Sequence, residues 1–459
     1  MKPRLQDAAR VLGGRLIGAD AAFTAVSTDT RSLDQGALFV ALRGPNFDGA
    51  DFIAAAAAAG AAGAILARPS AAALPQILVE DPLAALQALA KAWREDFKTP
   101  IVAVAGSNGK TSTKEMIGAI LARRGPCLVT RGNLNNHIGV PLTLLRLETR
   151  HLGAVVEIGA NRVGDVAALL PLVRPSVAVV TNAGAEHLEG FGDLDGVARG
   201  EGEAFAGLLA DATAVINADD AYASYWRGLA GARRVLSFGL GETADFRARE
   251  EWLGIQDGEF VTRFTLDSPL GAAPILVHAG GRHNLMNALA AAAAAAAAGA
   301  SLTEIAAGLA DFRPVAGRLQ LKAGVRDSFI IDDSYNANPS SVRAGLDVLG
   351  ALAGEKWLVL GEMAELGASA QASHVEIGSY ARARGVARLF GFGTLSGRAV
   401  EAFGAGAEWF ADADELCRRL LAQIGPGVTV LVKGSRVNRL ERVVAALTVA
   451  ADTPAARAG

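Results

Sequence analysis

Short apolar runs alternate with helical patterns along most of the chain, which is typical of strands and helices layered in α/β domains. In the first 85 residues, GALFVAL, GAILA and QILVED are strand candidates, and an alanine-rich helix begins near Asp51. Residues 81–97 have the apolar spacing of a helix and predict a linking helix that ends near Pro100. We therefore expect a small N-terminal α/β domain over residues 1–85.

A stronger pattern of strands and helices begins at residue 100. IVAVAG, GAVVEIGA and SVAVVTNAG are apolar at consecutive positions and are separated by helical stretches. Such strands are typical of a parallel sheet covered by helices on both faces. Residues 242–280 alternate between apolar and polar positions and contain Asp-Gly turns, which predicts antiparallel hairpins. We assign residues 86–312 to this central domain.

A third unit begins near residue 313. DSFIIDDSY, KWLVLGEM, ARLFGFG and VTVLVKGS are strand candidates between helical segments, and they predict a second α/β sheet within residues 313–459. The tail ADTPAARAG is expected to be disordered. The predicted fold class is α/β with three domains. A central P-loop-type, mostly parallel sheet is flanked by helices, with a smaller α/β N-terminal domain and a Rossmann-like C-terminal domain.

Composition narrows the possible functions. The formal net charge is −3, so a general affinity for nucleic acid is not expected. Cys127 and Cys417 provide no disulfide framework and fit a reducing compartment. The first residues lack the apolar core of a secretory signal, and alanine runs at 51–66 and 287–300 predict packed helices rather than membrane spans. We expect a cytoplasmic enzyme that does not insert into membranes.

The segment VAVAGSNGKTSTKEM, residues 102–116, is similar to a phosphate-binding loop. The common pattern G-x-x-x-x-G-K-[ST] would place its first glycine at Val104, so this loop is of a shorter G-x-x-G-K-T type. A strand precedes it and a helix follows, which directs backbone N–H groups toward a phosphate. Lys110 would lie beside the β- and γ-phosphates, and Thr111 would offer its hydroxyl to Mg²⁺. The alternative is a strand-to-helix turn that carries a surface lysine. The candidate nucleotide-binding residues are Gly106, Ser107, Asn108, Gly109, Lys110, Thr111 and Ser112.

Two further candidates follow the next strands of the predicted sheet. Glu157 lies near the end of one strand, and His187 follows the other. Ligands of open parallel sheets bind beyond the carboxyl ends of the strands, so both side chains should approach the phosphate loop. A carboxylate and an imidazole there could hold Mg²⁺. The alternative for each is a hydrogen-bonded residue in a turn.

With these residues in place, the chain resembles the Mur ligases, ATP-dependent amide-forming enzymes of peptidoglycan precursor synthesis. Their phosphate loop has the shortened form seen here. The resemblance extends over nearly the whole chain, and DDSYNANPSS is its most discriminating segment. The matching segments are STDTRSL, FVALRGPNFDGADF, GNLNNHIGVPLTLL, VVEIGAN, EHLEGFG, GRHNLMNALAA, DDSYNANPSS, GEMAELG and VKGSR.

The resemblance is greatest to the members that join D-alanyl-D-alanine to UDP-N-acetylmuramoyl-tripeptide. It implies an acyl phosphate intermediate, formation of ADP and phosphate, the cofactors ATP and Mg²⁺, and a monomer acting on small molecules. Within the enzyme class, the alternatives are the ligase that adds the third amino acid and a related folate or cyanophycin-type ligase. A nucleotide-binding regulatory homologue that has lost catalysis is the alternative from another class.

The resemblance also implies residue roles. Lys110 and Arg318 would act on the phosphates, with Arg318 reaching the γ-phosphate from the third domain. Thr111, Glu157 and His187 would hold metal. Asn284 and Asn336 would contact the nucleotide base or ribose. For Asn336 a turn residue is the alternative, and for Arg318 a surface ion pair. The implied substrate residues are Thr28, Asp29, Thr30, Arg31, Phe47, Asp48 and Gly49 in a UDP-sugar pocket, and Asn135, Asn136 and His137 along a channel to the reacting carboxylate.

One position departs from the family pattern. Mur ligases usually have, fourteen residues after the metal-binding histidine, a lysine that CO₂ converts to a carbamate ligand of a second Mg²⁺. Here that position is Glu201. We expect its carboxylate to supply the charge directly as a metal ligand, without a bicarbonate-derived modification. The alternative is a solvated helix glutamate near Arg199 or Glu203.

Overall fold

A computed structural model describes residues 3–449 of the chain. The tail 451–459, for which disorder is predicted, lies outside the described residues. The N-terminal unit is a mixed sheet in the order β1-β7-β6-β3-β2, parallel except for the β1–β7 pair. Its elements are α1 (Leu5–Val11), β1 (Arg15–Ile17), β2 (Val26–Ser27), β3 (Leu38–Val40), β4 (Arg43–Gly44), β5 (Phe47–Asp48), α2 (Ile53–Ala58), β6 (Gly63–Leu66), β7 (Gln76–Leu78) and α3 (Pro82–Glu95).

The middle unit contains a parallel sheet in the order β13-β12-β11-β8-β10-β9 and an antiparallel sheet in the order β14-β15-β16. Its elements are β8 (Ile101–Ala105), α4 (Lys110–Ala122), β9 (Cys127–Val129), α5 (Gly139–Leu144), β10 (Gly153–Glu157), α6 (Asp165–Val173), β11 (Val177–Val180), α7 (Leu188–Phe191), α8 (Leu194–Ala206), β12 (Thr213–Asn217), α9 (Ala223–Ala230), β13 (Arg234–Phe238), β14 (Arg247–Gln256), β15 (Glu259–Ser268), β16 (Gly271–Val277), α10 (Arg282–Ala297) and α11 (Leu302–Asp311). The antiparallel hairpins predicted for residues 242–280 are confirmed.

The third unit is a sheet in the order β17-β18-β22-β19-β20-β21, parallel except for β17. Its elements are β17 (Gln320–Ala323), β18 (Phe329–Asp333), α12 (Pro339–Ala351), β19 (Glu355–Gly361), α13 (Ala370–Ala383), β20 (Arg388–Phe392), α14 (Ser396–Phe403), β21 (Ala407–Phe410), α15 (Ala413–Gln423), β22 (Val428–Lys433) and α16 (Glu441–Leu447). The α/β class with mostly parallel sheets is confirmed. The domain bounds 1–85, 86–312 and 313–459 stay predictions.

Strand β8 sets the position of the phosphate loop. Every residue of β8 is buried because its side chains alternate between two cores, with Val102 and Val104 on one face and Ile101, Ala103 and Ala105 on the other. In the sheet, β8 lies between β10 and β11. The segments that follow these strands therefore meet at one edge of the sheet, where ligands of open α/β sheets bind.

The two alanine runs fold differently. The run 287–300 forms most of α10, whose alanines are buried in the same core as Val102 and Val104, as predicted. The run 51–66 is a packed helix only in part, and its end forms the strand predicted for GAILA. There α2 covers only Ile53–Ala58 and buries Ile53 and Ala56, and the chain turns at Gly60 before β6. Alanine permits both outcomes because it favours helix but has too little apolar surface to require burial.

In the part of the chain that the structure describes, no helix combines the length and apolar character needed to cross a bilayer.

The contrast between the two runs gives a prediction about stability. Ala291 in α10 is fully buried, so Ala291→Leu should overpack the core and lower the free energy of unfolding by about 1–3 kcal/mol. Ala55 in α2 is exposed, and Ala55→Leu should change it by less than about 0.5 kcal/mol. Urea unfolding of both variants measures the difference. Equal changes in the free energy of unfolding for the two variants would contradict the close packing of α10.

Candidate functional site

The loop between β8 and α4 has a backbone that requires glycine at two places. Gly106 and Gly109 have φ of 115° and 83°, in the region that disfavours side chains. A Cβ at Gly106 would lie 2.2 Å from Thr181 Oγ1, and one at Gly109 would lie 2.1 Å from Asn287 Oδ1. Neither position therefore has room for a side chain. The loop is a complete structure of the shorter type, and Lys110 begins α4 directly after it.

The segment after β11 forms hydrogen bonds with the backbone of the loop. The Thr181 hydroxyl and the Asn182 amide both donate to the carbonyl oxygen of Asn108, at 2.6 and 2.9 Å. Asn182 also accepts from the backbone N–H groups of Ser107 and Asn108. Sequence reasoning missed Thr181 and Asn182, although they are the polar residues that end the third apolar run of the central domain.

Lys110 is held at the loop by oxygen atoms. Its Nζ donates to the carbonyls of Gly106 and Ser107, at 2.5 and 2.9 Å, and to Glu186 Oε1 at 3.0 Å. Burial alone would lower the pKa of Lys110, but Glu186 and then Glu201 outweigh burial, and the pKa is raised. Lys110 is therefore charged, and the surface-lysine alternative does not hold. Glu186 was missed, although it directly precedes His187.

Glu157 ends β10 with a partly satisfied carboxylate. It is 2% exposed, and its Oε1 accepts from Asn135 Nδ2 at 2.8 Å. Its Oε2 is buried without a hydrogen-bond partner and lies 3.6 Å from the Nζ of Lys114. Lys114 lies one helical turn after Lys110 on α4, a spacing that places both lysines on one face. Glu157 thus lines the cavity, and its second oxygen pairs with the Lys114 ammonium without a hydrogen bond.

Glu201 reaches the phosphate loop from α8. Its carboxylate is fully buried, and Oε2 accepts from the backbone N–H of Gly106 at 2.6 Å. The other oxygen, Oε1, is buried without a hydrogen-bond partner. Burial raises the pKa of Glu201 to about 7, although the nearby Lys110 opposes the shift. The alternative of a solvated helix glutamate is wrong.

The residues proposed as metal ligands do not form a preformed coordination site. Among residues 3–449, no three His, Cys, Asp or Glu side chains are grouped so as to hold a metal ion. Different partners hold the candidates apart: Glu157 contacts Asn135, while Glu201 contacts the loop backbone. His187 Nδ1 lies 2.5 Å from Glu365 Oε2 of the third unit. Glu157, His187 and Glu201 are therefore not grouped in this conformation, and their roles as metal ligands stay predictions.

Residues of the third unit contact the loop directly. Arg318 Nη2 donates to Thr111 Oγ1 at 3.4 Å, and the guanidinium lies 4.1 Å from the centre of the Tyr335 ring. The Nε of Arg318 is buried without a hydrogen-bond partner. Asn338 Nδ2 donates to Asn108 Oδ1 at 2.8 Å. Arg318 thus faces the loop, and the surface ion-pair alternative is wrong. Asn338 was missed, although it lies within the DDSYNANPSS segment.

Asn284 belongs to α10 of the middle unit, and Asn336 follows β18 of the third unit. The Asn284 amide donates to the Gly280 carbonyl and accepts from Asn287, which fixes its orientation. Asn336 Oδ1 accepts from the N–H of Ala337, the next residue, so Asn336 also has the turn contact that its alternative describes. Both residues border the same cavity.

These elements enclose a cavity of about 630 Å³. Most of the predicted nucleotide and metal residues line it, whereas Gly106 and Glu201 do not. The predicted residues on its wall are Ser107, Asn108, Gly109, Lys110, Thr111, Ser112, Asn135, Asn136, Glu157, His187, Asn284, Arg318 and Asn336.

The remaining predicted substrate residues do not line this cavity. Asp29 pairs with Arg31 at 2.6 Å, and the Arg31 side chain lowers the pKa of Asp29 to about 2. Asp48 caps the turn at residues 49–52, and Phe47 is 55% exposed. His137 is exposed beside α5. Thr28, Thr30 and Gly49 lie in the same N-terminal segments, so the predicted UDP-sugar pocket is separate from the nucleotide cavity.

Comparisons with known proteins agree with this architecture. Family models match residues 22–94 (Mur ligase family, catalytic domain), 104–295 (Mur ligase middle domain) and 317–436 (Mur ligase, glutamate ligase domain). The chain is 44% identical to the UDP-N-acetylmuramoyl-tripeptide–D-alanyl-D-alanine ligase of Escherichia coli (strain K12), over 95% of this chain and 96% of that protein.

Two solved structures match nearly the whole chain. A crystal structure of MurF from Acinetobacter baumannii is 34% identical with a TM-score of 0.89, covering 96% of this chain and 97% of that chain. The structure of MurF ligase from Thermotoga maritima in complex with ADP is 28% identical with a TM-score of 0.81, covering 92% of this chain and 96% of that chain. Because the family models follow one another along the chain and a relative matches 95% of it, the chain belongs to the Mur ligase family.

Proposed function

We propose that the chain is an ATP-dependent amide ligase that joins D-alanyl-D-alanine to UDP-N-acetylmuramoyl-tripeptide in peptidoglycan precursor synthesis in the cytoplasm. The observation that carries the proposal is the contact of Arg318 and Asn338 with the phosphate loop, which makes one cavity from two units of the chain. The 44% identical relative is named for this activity. Because one chain supplies these walls, we propose that it works as a monomer.

The proposed reaction activates a carboxylate, which is a poor acylating agent because its leaving group would be oxide. Transfer of the γ-phosphoryl group of ATP to the carboxylate forms an acyl phosphate and ADP. The amine of the dipeptide then attacks the acyl carbon, and the tetrahedral intermediate expels phosphate. In the first step two anions approach each other, and Lys110 and Arg318 already lie at the loop to stabilise the charge.

The residues present fit a magnesium ion. Thr111 offers a hydroxyl and Glu157 offers a buried carboxylate oxygen without a hydrogen-bond partner, and both are hard oxygen donors. Mg²⁺ usually takes one or two carboxylates together with phosphate oxygens and water, so it requires no three-residue cage. Bound there, it would neutralise phosphate charge. We propose Thr111 and Glu157 as its ligands, with His187 beside them.

We propose the remaining roles from the positions of the side chains. Asn284 and Asn336 would contact the base or ribose, since both line the cavity beyond the loop. Asn135 and Asn136 would border the path to the reacting carboxylate, with His137 at its outer end. The N-terminal residues Thr28–Arg31 and Phe47–Gly49 would bind the UDP-sugar. The chain would then divide into a UDP-sugar-binding domain (1–85), an ATP-binding domain (86–312) and a C-terminal ligase domain (313–459).

Phosphate release measured with each substrate omitted tests the function. Release should require ATP, UDP-N-acetylmuramoyl-tripeptide and D-alanyl-D-alanine together, because the dipeptide consumes the acyl phosphate. Release with the UDP-dipeptide and a diamino acid would indicate the ligase for the third residue. Nucleotide binding without any release would indicate a regulatory homologue.

Removal of the loop lysine should abolish efficient turnover. Lys110→Ala is expected to lower kcat by at least ~10²-fold, because a preorganised charge-stabilising donor is lost. Steady-state phosphate release measures the change, with Lys91→Ala, an exposed lysine of α3, as the matched control. Full turnover of Lys110→Ala would disprove the role of this loop.

Arg318 should not be replaceable by lysine. Arg318→Lys keeps the charge but loses the planar group that stacks on Tyr335 and reaches Thr111, so kcat/KM should fall by roughly tenfold or more. Arg313→Lys, at an exposed arginine five residues earlier, should be close to wild type. Wild-type kinetics for Arg318→Lys would mean that charge alone is used.

A further inference from the structure

Glu201 and Asn182 together accept from three backbone N–H groups of the loop. The N–H of Gly106 points to the Glu201 carboxylate, while those of Ser107 and Asn108 point to Asn182. These three groups are used inside the protein. The N–H groups left to face a phosphate are therefore those at the beginning of α4, where Lys110 and the residues after it line the cavity.

The Gly106 peptide needs this partner. Its backbone conformation is accessible to glycine and crowded against Thr181, so the peptide cannot turn to find another acceptor without moving the loop. An unpaired buried N–H is costly. The carboxylate that satisfies it comes from a helix 95 residues away in sequence and is fully buried. The contact therefore ties the position of α8 to the position of the loop.

The same position in related enzymes is expected to be a lysine that carries a carbamate. Glu201 has no amine for CO₂ to modify, and its side chain already ends in a carboxylate. The structure places that carboxylate on the loop backbone and not in a group with Glu157 and His187. The residue present therefore does not fit the modified group.

We propose that Glu201 is a positioning residue: its unmodified carboxylate fixes the Gly106 peptide, so the loop binds nucleotide without a carbamate at this position. The proposal rests on the proposed nucleotide site but not on the ligase reaction. ADP binding, measured by calorimetry with Mg²⁺ or with EDTA, is therefore the readout. If the wild-type protein does not bind ADP, the nucleotide site itself fails, which is distinct from failure of this inference.

Two substitutions distinguish the effect of the length of the Glu201 side chain from the effect of its charge. Glu201→Gln keeps an acceptor at the same distance but removes the charge, and its Kd for ADP should stay within about twofold of wild type in both buffers. Glu201→Asp keeps the charge but withdraws the carboxylate by about one bond length, ~1.5 Å, which breaks a 2.6 Å hydrogen bond. Its Kd should rise by roughly fivefold or more in both buffers.

Any other combination of Kd values for these variants contradicts the proposal. Weaker binding of Glu201→Gln only with Mg²⁺ would make Glu201 a metal ligand. Normal binding by Glu201→Asp with weak binding by Glu201→Gln would make its charge the important property. A wild-type Kd that depends on added bicarbonate would show that the loop needs a carbamate on another side chain, so that the Glu201 carboxylate is not sufficient.

Glu203 provides the matched control on the same helix. Its carboxylate also accepts backbone N–H groups, those of Gly164 and Ala167 at the start of α6, but it does not contact the phosphate loop. Glu203→Asp should lower the thermal unfolding midpoint and leave ADP binding unchanged. An equal loss of ADP affinity in Glu203→Asp would show that Glu201→Asp acts through general destabilisation and would overturn the positioning role.

Discussion

The charge of Lys110 is the constraint around which this site is built. A buried ammonium is tolerated only when oxygen atoms surround it, and here two loop carbonyls and Glu186 do so. Glu186 also lies 3.5 Å from the amide of Asn338 in the third unit. The backbone of the loop, its charge and the neighbouring unit are therefore parts of one hydrogen-bonded network, in which each member supports the others.

The position of this network follows from the central sheet. Because β8 lies between β10 and β11, the segments after these strands reach the same edge, and Glu157 and Thr181 arrive beside the loop from opposite sides. The third unit closes the remaining side with Arg318 and Asn338. The cavity is therefore bordered by segments of the middle unit and of the third unit.

Much of this arrangement could be predicted because its signals are local. The strand, the glycine turn and the helix are adjacent in sequence, and the resemblance supplied most residues of the cavity wall. The partners could not be predicted, because they come from far along the chain: Asn108 and Ser340, hydrogen-bonded at 3.0 Å, are 232 residues apart. The contact between Gly106 and Glu201 spans 95 residues. The alanine run 51–66 departed from its prediction for a related reason, since whether an alanine helix is buried depends on what packs against it.

The electrostatics of the site favour a divalent cation independently of any ligand cage. Glu186, Glu201 and Glu157 all lie near enough to Lys110 to raise its pKa. Lys114 is the other buried cation beside them, and it is shared between Glu157 and Glu115. The charged side chains of the cavity wall balance, with Lys110, Arg318 and Lys433 against Glu157, Glu186 and Asp333. The phosphates of ATP would therefore leave the occupied cavity negatively charged. Binding would then require cations to accompany the nucleotide, and Glu157 is a carboxylate of the cavity wall.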